Sequence, residues 1–224
     1  MYPICRPLGY GDPTLRGAPG VGAGEGLRVV SSVAQLLEQR TAQARSQVEA
    51  ILALDDPELA QPRVQAVLER LFGFWQGTER VIDEWAAREP EFATAARWLR
   101  RRRGEVLRHD LLRVGRTVRE LAELPEAPPV FTVAETPDVL GWLYVSEAAT
   151  SGAVPACTPR ERFSVRTFTP YLEGPGPMWR EYRTLLADWA GTDPVRRDGV
   201  LAAAVSTFDA LEQWITPLAP EQAA

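Results

Sequence analysis

SSVAQLLEQRTAQARSQVEAILAL, residues 31–54, decides the fold of this chain. Val33, Leu37, Thr41, Ala44, Val48, Ile51 and Leu52 recur at three- and four-residue steps, which is one face of an amphipathic helix. Ser31 or Ser32 is placed to cap its start, and Pro57 lies just beyond its end. One residue departs from the pattern. Arg45 stands beside Ala44 and Val48, inside or on the rim of the apolar stripe. A guanidinium stays charged at any working pH, so it needs an anion or a route to water. Glu49, one turn further on, is placed to serve.

Helical spacing continues along the chain. Pro62 suits the first turn of a second helix, whose face carries Val64, Val67, Leu68, Leu71, Phe72, Trp75, Glu79, Ile82 and Trp85. Gly73 and Gly77 flank Trp75, where another backbone can approach closely. Pro90 opens a third helix with Phe92, Ala95, Ala96 and Leu99 on its face, and the run Arg100 to Arg103 followed by Gly104 marks a break. Val106, Leu107, Leu111 and Val114 then resume. Residues 124–133 are Pro-rich and read as a loop. Thr136-Pro137-Asp138 starts the helix that carries LGWLYVSEAATSGA to about Ala153, which Pro155 ends. Residues 155–177 read as irregular. Pro177 opens a helix with Met178, Trp179, Tyr182, Leu185, Leu186 and Trp189, and Asp193-Pro194 caps the last, which Pro217 stops. No segment alternates as a strand does, so the chain is expected to be all-α.

Composition narrows the chemistry. With 224 residues and 45% hydrophobic content, the chain suits one domain with tails. The expected division is a Gly/Pro-rich tail over 1–27, a helical domain over 28–217 and a short tail over 218–224. The glycines of GVGAGEG, residues 20–26, do not match a nucleotide-binding loop, and no strand precedes them. There is no Lys, which excludes Schiff-base chemistry and a P-loop lysine. One His and two distant Cys leave no zinc set and no Cys–His dyad. His109 reads as a surface or half-buried helix residue, Cys5 as incidental and Met178 as core. No apolar run reaches the length of a membrane span, and the N-terminus shows no secretory h-region, so a cytoplasmic location is expected. The net charge of −5 and the lack of a surrounding motif argue against nucleic acid.

The order of motifs resembles the haem oxygenase family, most of all its bacterial, phytochrome-associated, biliverdin-producing branch. Thr41 to Glu49 resembles the family's T-x-x-x-H-x-x-[VL]-E, and Leu71-Phe72-Gly73-Phe74-Trp75 its L-[YF]-G-F-[YF]. Gly141 to Ala153 stands where the family has G-A-L-Y-V-L-E-G-S-T-L-G-G. Phe168, Tyr171, Trp179 and Tyr182 echo F-x-x-Y and W-x-x-[FY], and Phe208 to Trp214 resembles F-x-x-L-E-x-W. The resemblance covers about residues 30–216. It implies a haem-oxygenase-like helical bundle in which the first helix and the Gly141–Ala153 helix face each other across haem or another tetrapyrrole.

The departures are as informative. Arg45 occupies the position of the family's iron-binding His, and Glu49 that of the acid that orients it. A guanidinium has no free lone pair for iron. On the distal helix Ala148 and Ala153 replace glycines, and of these positions Gly152 alone keeps one. The resemblance therefore implies a tetrapyrrole site at Arg45, Glu49, Tyr144, Ala148 and Gly152, with no catalytic residue and no metal ligand. Three functional readings follow. One is a tetrapyrrole-binding protein without standard haem degradation. Another is an active enzyme forming biliverdin, CO and iron with an unusual ligand. The third is an interaction protein whose pocket has filled in, for which Trp142 and Ala148 supply the bulk. Arg100 to Arg103 are read either as a solvated helix face or as a docking patch for an acidic redox partner or a grip for propionates.

Overall fold

The computed structural model describes residues 32–54, 56, 58–151, 165–168, 171 and 175–219. Among them every regular element is helical: α1 (Val33–Leu52), α2 (Gln61–Arg88), α3 (Pro90–Ala95), α4 (Trp98–Arg101), α5 (Gly104–Arg113), α6 (Val118–Ala122), α7 (Thr136–Ser151), α8 (Pro175–Ala190) and α9 (Pro194–Ile215), which runs into a 3-10 turn, Thr216–Leu218. No described helix is long and apolar enough to cross a membrane. The expected 1–27 tail, Gly152 and Ala153 lie outside the described residues.

Local chemistry sets the helix ends. Ser32 caps α1 in a reciprocal box with Gln35, satisfying two N–H donors that the helix cannot use itself. Thr117 and Glu120 do the same for α6. The Asp193 carboxylate accepts from the N–H groups of Val195 and Arg196 and starts α9. At α7 the boundary falls one residue before the Thr136 cap expected from sequence. The Glu135 N–H donates to Asp138 Oδ2 at 3.0 Å, and the Glu135 carbonyl accepts from Val139.

The helix α9 is the hub. It packs chiefly against α7 and α1, and also against α2 and α8. The α7–α9 crossing is close because Gly141 meets Ala203 and Ala204. A Cβ at Gly141 would lie 2.6 Å from the Ala203 Cβ and 2.6 Å from the Ala204 nitrogen. Leu37, Val64, Val67, Leu68, Leu140, Leu143, Val200, Ala204 and Leu211 fill the centre. The irregular stretch after α6 lies across α2. The Ala127 N–H donates to the Gly73 carbonyl, and a Cβ at Gly73 would lie 2.3 Å from the Pro125 carbonyl oxygen. Trp214 closes the same side, its indole N–H donating to the Arg70 carbonyl at 2.7 Å.

Three expectations need correction. The helix expected from Pro90 through Leu99 is two pieces, because Arg97 adopts φ 50°, a left-handed conformation that breaks the period. Trp98 is thereby turned into the core and Leu99 out, where it is 81% exposed. Leu218, placed by sequence in the C-terminal tail, is buried in the core. Finally, α1 and α7 do not face each other along their lengths. Each packs chiefly on α9, and Thr41 of α1 meets Tyr144 of α7 through a hydrogen bond.

Gly141→Ala tests the hub. A helical Gly→Ala change ordinarily gains about 1 kcal/mol. Here overpacking at the α7–α9 crossing is expected to reverse that sign and cost roughly 1–3 kcal/mol in urea denaturation. A stabilised variant would show that the crossing yields without strain.

Candidate functional site

Five positions were expected to form the site, and the structure places four of them. Arg45 and Glu49 lie on the rim of α1. The Arg45 Nε donates to Glu49 Oε1 at 2.8 Å, with side-chain exposures of 29% and 41%. The guanidinium thus solves its burial problem as the spacing foretold, with an intrahelical partner and partial access to water. Across from it on α7, Tyr144 is buried and shares a 3.2 Å hydrogen bond with Thr41, whose hydroxyl also donates to the Leu37 carbonyl. Burial raises the Tyr144 phenol above its ordinary pKa, opposed in part by the positive charge of Arg45. Ala148 is buried one turn beyond Tyr144. Tyr144 also rests on Trp179 of α8 and Phe208 of α9, at centroid distances of 6.0 and 6.4 Å.

Trp142 does not belong to this face. Its ring meets Trp75 edge-on at 5.1 Å and Trp98 at 5.7 Å, on the α2 and α4 side of α7. Two positions along a helix turn a side chain to nearly the opposite face. The bulk assigned to Trp142 as a pocket filler is therefore directed elsewhere.

The arginine run is also corrected. It does not form one cationic patch. Arg100 is exposed, but Arg101 and Arg103 are 1% exposed and point inward, while Arg102 is half-buried. The reason is the short α4. It ends at Arg101, Arg102 is extended and Arg103 precedes α5, so successive side chains leave on opposite sides. Arg101 Nη1 lies 2.7 Å and Arg103 Nη2 3.2 Å from the same oxygen of Glu147, which is fully buried on α7. Tyr171 donates to that carboxylate and accepts from Arg103 Nη2 at 2.9 Å. Arg101 further donates to the carbonyls of Ala96 and Met178, each at 2.8 Å. Arg102 reaches outward to Asp83 at 3.2 Å.

Two more buried acids tie this region together. Glu79 on α2 accepts from the backbone N–H groups of Arg103 and Gly104 and so caps α5 from another helix. Asp110 on α5 accepts from the N–H groups of Arg166 and Thr167 and from the Thr167 hydroxyl, holding residues 165–168 against the bundle. Sequence reasoning placed Glu79 on the apolar face of α2 without asking what would neutralise it. The signal was present: acids at core positions 79 and 147 require cations, and Arg100 to Arg103 was the nearest supply.

No group of His, Cys, Asp and Glu among the described residues could hold a metal ion. His109 is exposed on α5, and Met178 is core, as expected. Comparison with known protein families, characterised proteins and solved structures finds no match. The reading of the site therefore rests on its own geometry.

Two measurements check the buried charges. Glu147→Gln removes the carboxylate facing two buried guanidiniums and should cost roughly 3–5 kcal/mol. Tyr171→Phe should cost about 1 kcal/mol, the loss of hydrogen bonding alone. Equal losses in urea denaturation would contradict this account. The second check concerns pH. Burial pushes the Glu79 carboxyl up to about 6, against the N–H donors of Arg103 and Gly104 and the charges of Arg102 and Arg103. A folded-state pKa above the ordinary 4.5 means the folded protein holds this proton more tightly. Its contribution is fully present below pH 4.5 and is lost as pH rises through about 6. Relative to Glu79→Gln, the parent protein should lose about 2 kcal/mol between pH 4.5 and pH 7. Parallel pH profiles for the two proteins would refute it.

Proposed function

We propose that the chain is a haem-oxygenase-like bundle that binds a tetrapyrrole beside Arg45 and Tyr144, where α1 and α7 meet, and does not degrade it. The observation that carries this reading is the Arg45–Glu49 pair at 2.8 Å. The resemblance places an iron ligand and its orienting acid at these two positions. Here the acid is engaged by a fixed cation on the same helix. Iron does not fit the residues present. Arg45 offers no lone pair, and Tyr144 is a buried phenol with a raised pKa, bonded to Thr41, so it supplies no phenolate at neutral pH. No step is therefore assigned to an iron centre. A metal-free or weakly held tetrapyrrole fits better. Its carboxylates suit a half-exposed guanidinium that can exchange Glu49 for a ligand acid, since exposed intrahelical pairs are worth only about 0.3–0.5 kcal/mol. The inward direction of Trp142, toward Trp75 and Trp98, takes its bulk away from the Tyr144 side of α7.

Titrations with haemin and with protoporphyrin IX separate these readings. The two should bind with similar affinity, since iron adds no ligand bond, and haemin with ascorbate should yield no biliverdin. Arg45→His should strengthen haemin binding about ten-fold or more, roughly 1.4 kcal/mol, and leave protoporphyrin IX unchanged. Biliverdin formation by the parent protein would overturn the proposal in favour of an active enzyme. Failure of both proteins to bind either porphyrin would favour the interaction protein.

A further inference from the structure

A concave site lies away from the region where Thr41 of α1 meets Tyr144 of α7. It is a cleft of about 470 Å³ between the start of α1 and the outer side of α8. One wall carries Arg180 and Arg183, a single helical turn apart on α8 and both exposed. The floor is apolar, with Val33 from α1 and Leu186 from α8, both buried. Ser32 and Asp188 complete the rim.

The two arginines differ from those that reach α8 from other elements, which are paired with acids. Their neighbour Arg97 pairs with Glu181 at 2.8 Å, and Arg196 pairs with Asp193 at 3.3 Å. Among the described residues Arg180 and Arg183 have no acidic partner, and Asp188 in the same cleft pairs with neither. Like charges one turn apart repel on a helix surface. That arrangement costs stability in the free protein and is relieved by an anion between the two guanidiniums. Arginine forks match the geometry of carboxylate and phosphate oxygens. The start of α1 is already closed by its Ser32–Gln35 box, so recognition falls to the arginines. Ser32 lies thirteen residues before Arg45 on the same helix, a separation of roughly 20 Å along its axis. The cleft is therefore distinct from the proposed tetrapyrrole face.

From these features we infer that the cleft binds a small organic anion, with a carboxylate or phosphate head between Arg180 and Arg183 and an apolar body over Val33 and Leu186. The cleft volume lies within the range of small-ligand sites. The apolar floor favours a head that carries a hydrocarbon portion over a bare inorganic ion. Asp188 sets the opposite polarity at the other end and disfavours a second negative group there.

The test is a nuclear magnetic resonance titration of the full chain with acetate, hexanoate and inorganic phosphate. Saturable amide shifts are expected at residues 32–34 and 183–188, with hexanoate about ten-fold tighter than acetate. Arg180→Gln with Arg183→Gln should abolish them. Arg40→Gln with Arg108→Gln removes the same charge from exposed positions elsewhere and should leave them unchanged. Hexanoate tighter than phosphate assigns a carboxylate head over an apolar floor, and inorganic phosphate tighter than hexanoate would overturn the role of that floor. Shifts that survive the α8 double substitution, that fall equally in the control, or that never appear with any of the three anions would overturn the inference.

Discussion

A single buried carboxylate sets the architecture of this bundle. Glu147 has no access to water and shares one oxygen among Arg101, Arg103 and Tyr171. Charges so deeply buried are tolerated only when geometry and hydrogen bonds offset the loss of hydration. That requirement fixes where α4 must end, how the chain turns into α5, and which way α7 is rotated about its axis. With α7 so rotated, Tyr144 points to α1 and Trp142 to α2. The candidate ligand face and the tryptophan cluster are two sides of one helix whose orientation the charge cluster determines. Residue 171 is drawn into the same centre from beyond α7.

The balance of charge extends outward in layers. Arg101 and Arg103 answer Glu147, Glu79 answers the free N–H groups at the start of α5, and Arg102 bridges toward Asp83 at the surface. Four consecutive arginines thus serve three environments. This explains a run that would otherwise look like a solvated stripe, and it leaves Arg100 and part of Arg102 at the surface.

Much of this was legible in sequence, for identifiable reasons. The 3.6-residue period gave the long helices α1, α2, α8 and α9, because each buries one continuous stripe. Pairing of Arg45 with Glu49 followed from a four-residue spacing on one helix, a local relation that needs no tertiary knowledge. What sequence could not show depended on contacts between distant segments. The break at Arg97 has no Gly or Pro to announce it: an arginine takes a left-handed conformation there, next to a tryptophan packed in the core. The inward direction of Arg101 and Arg103 depends on Glu147, more than forty residues away. The rotation of α7 was hidden because that helix is apolar nearly all round and so carries no preferred face.

The position of α9 at the centre has a consequence for biosynthesis. On the ribosome α1, α2 and α7 emerge before the helix against which they pack, so their apolar faces remain uncovered until residues 194–215 have left the exit tunnel. A nascent chain in that condition exposes Leu37, Leu140 and Leu143, which are fully buried in the finished bundle. Such surfaces attract chaperones and invite aggregation. Closure of the core therefore waits on the emergence of α9, and the yield of folded protein depends on how quickly that helix docks.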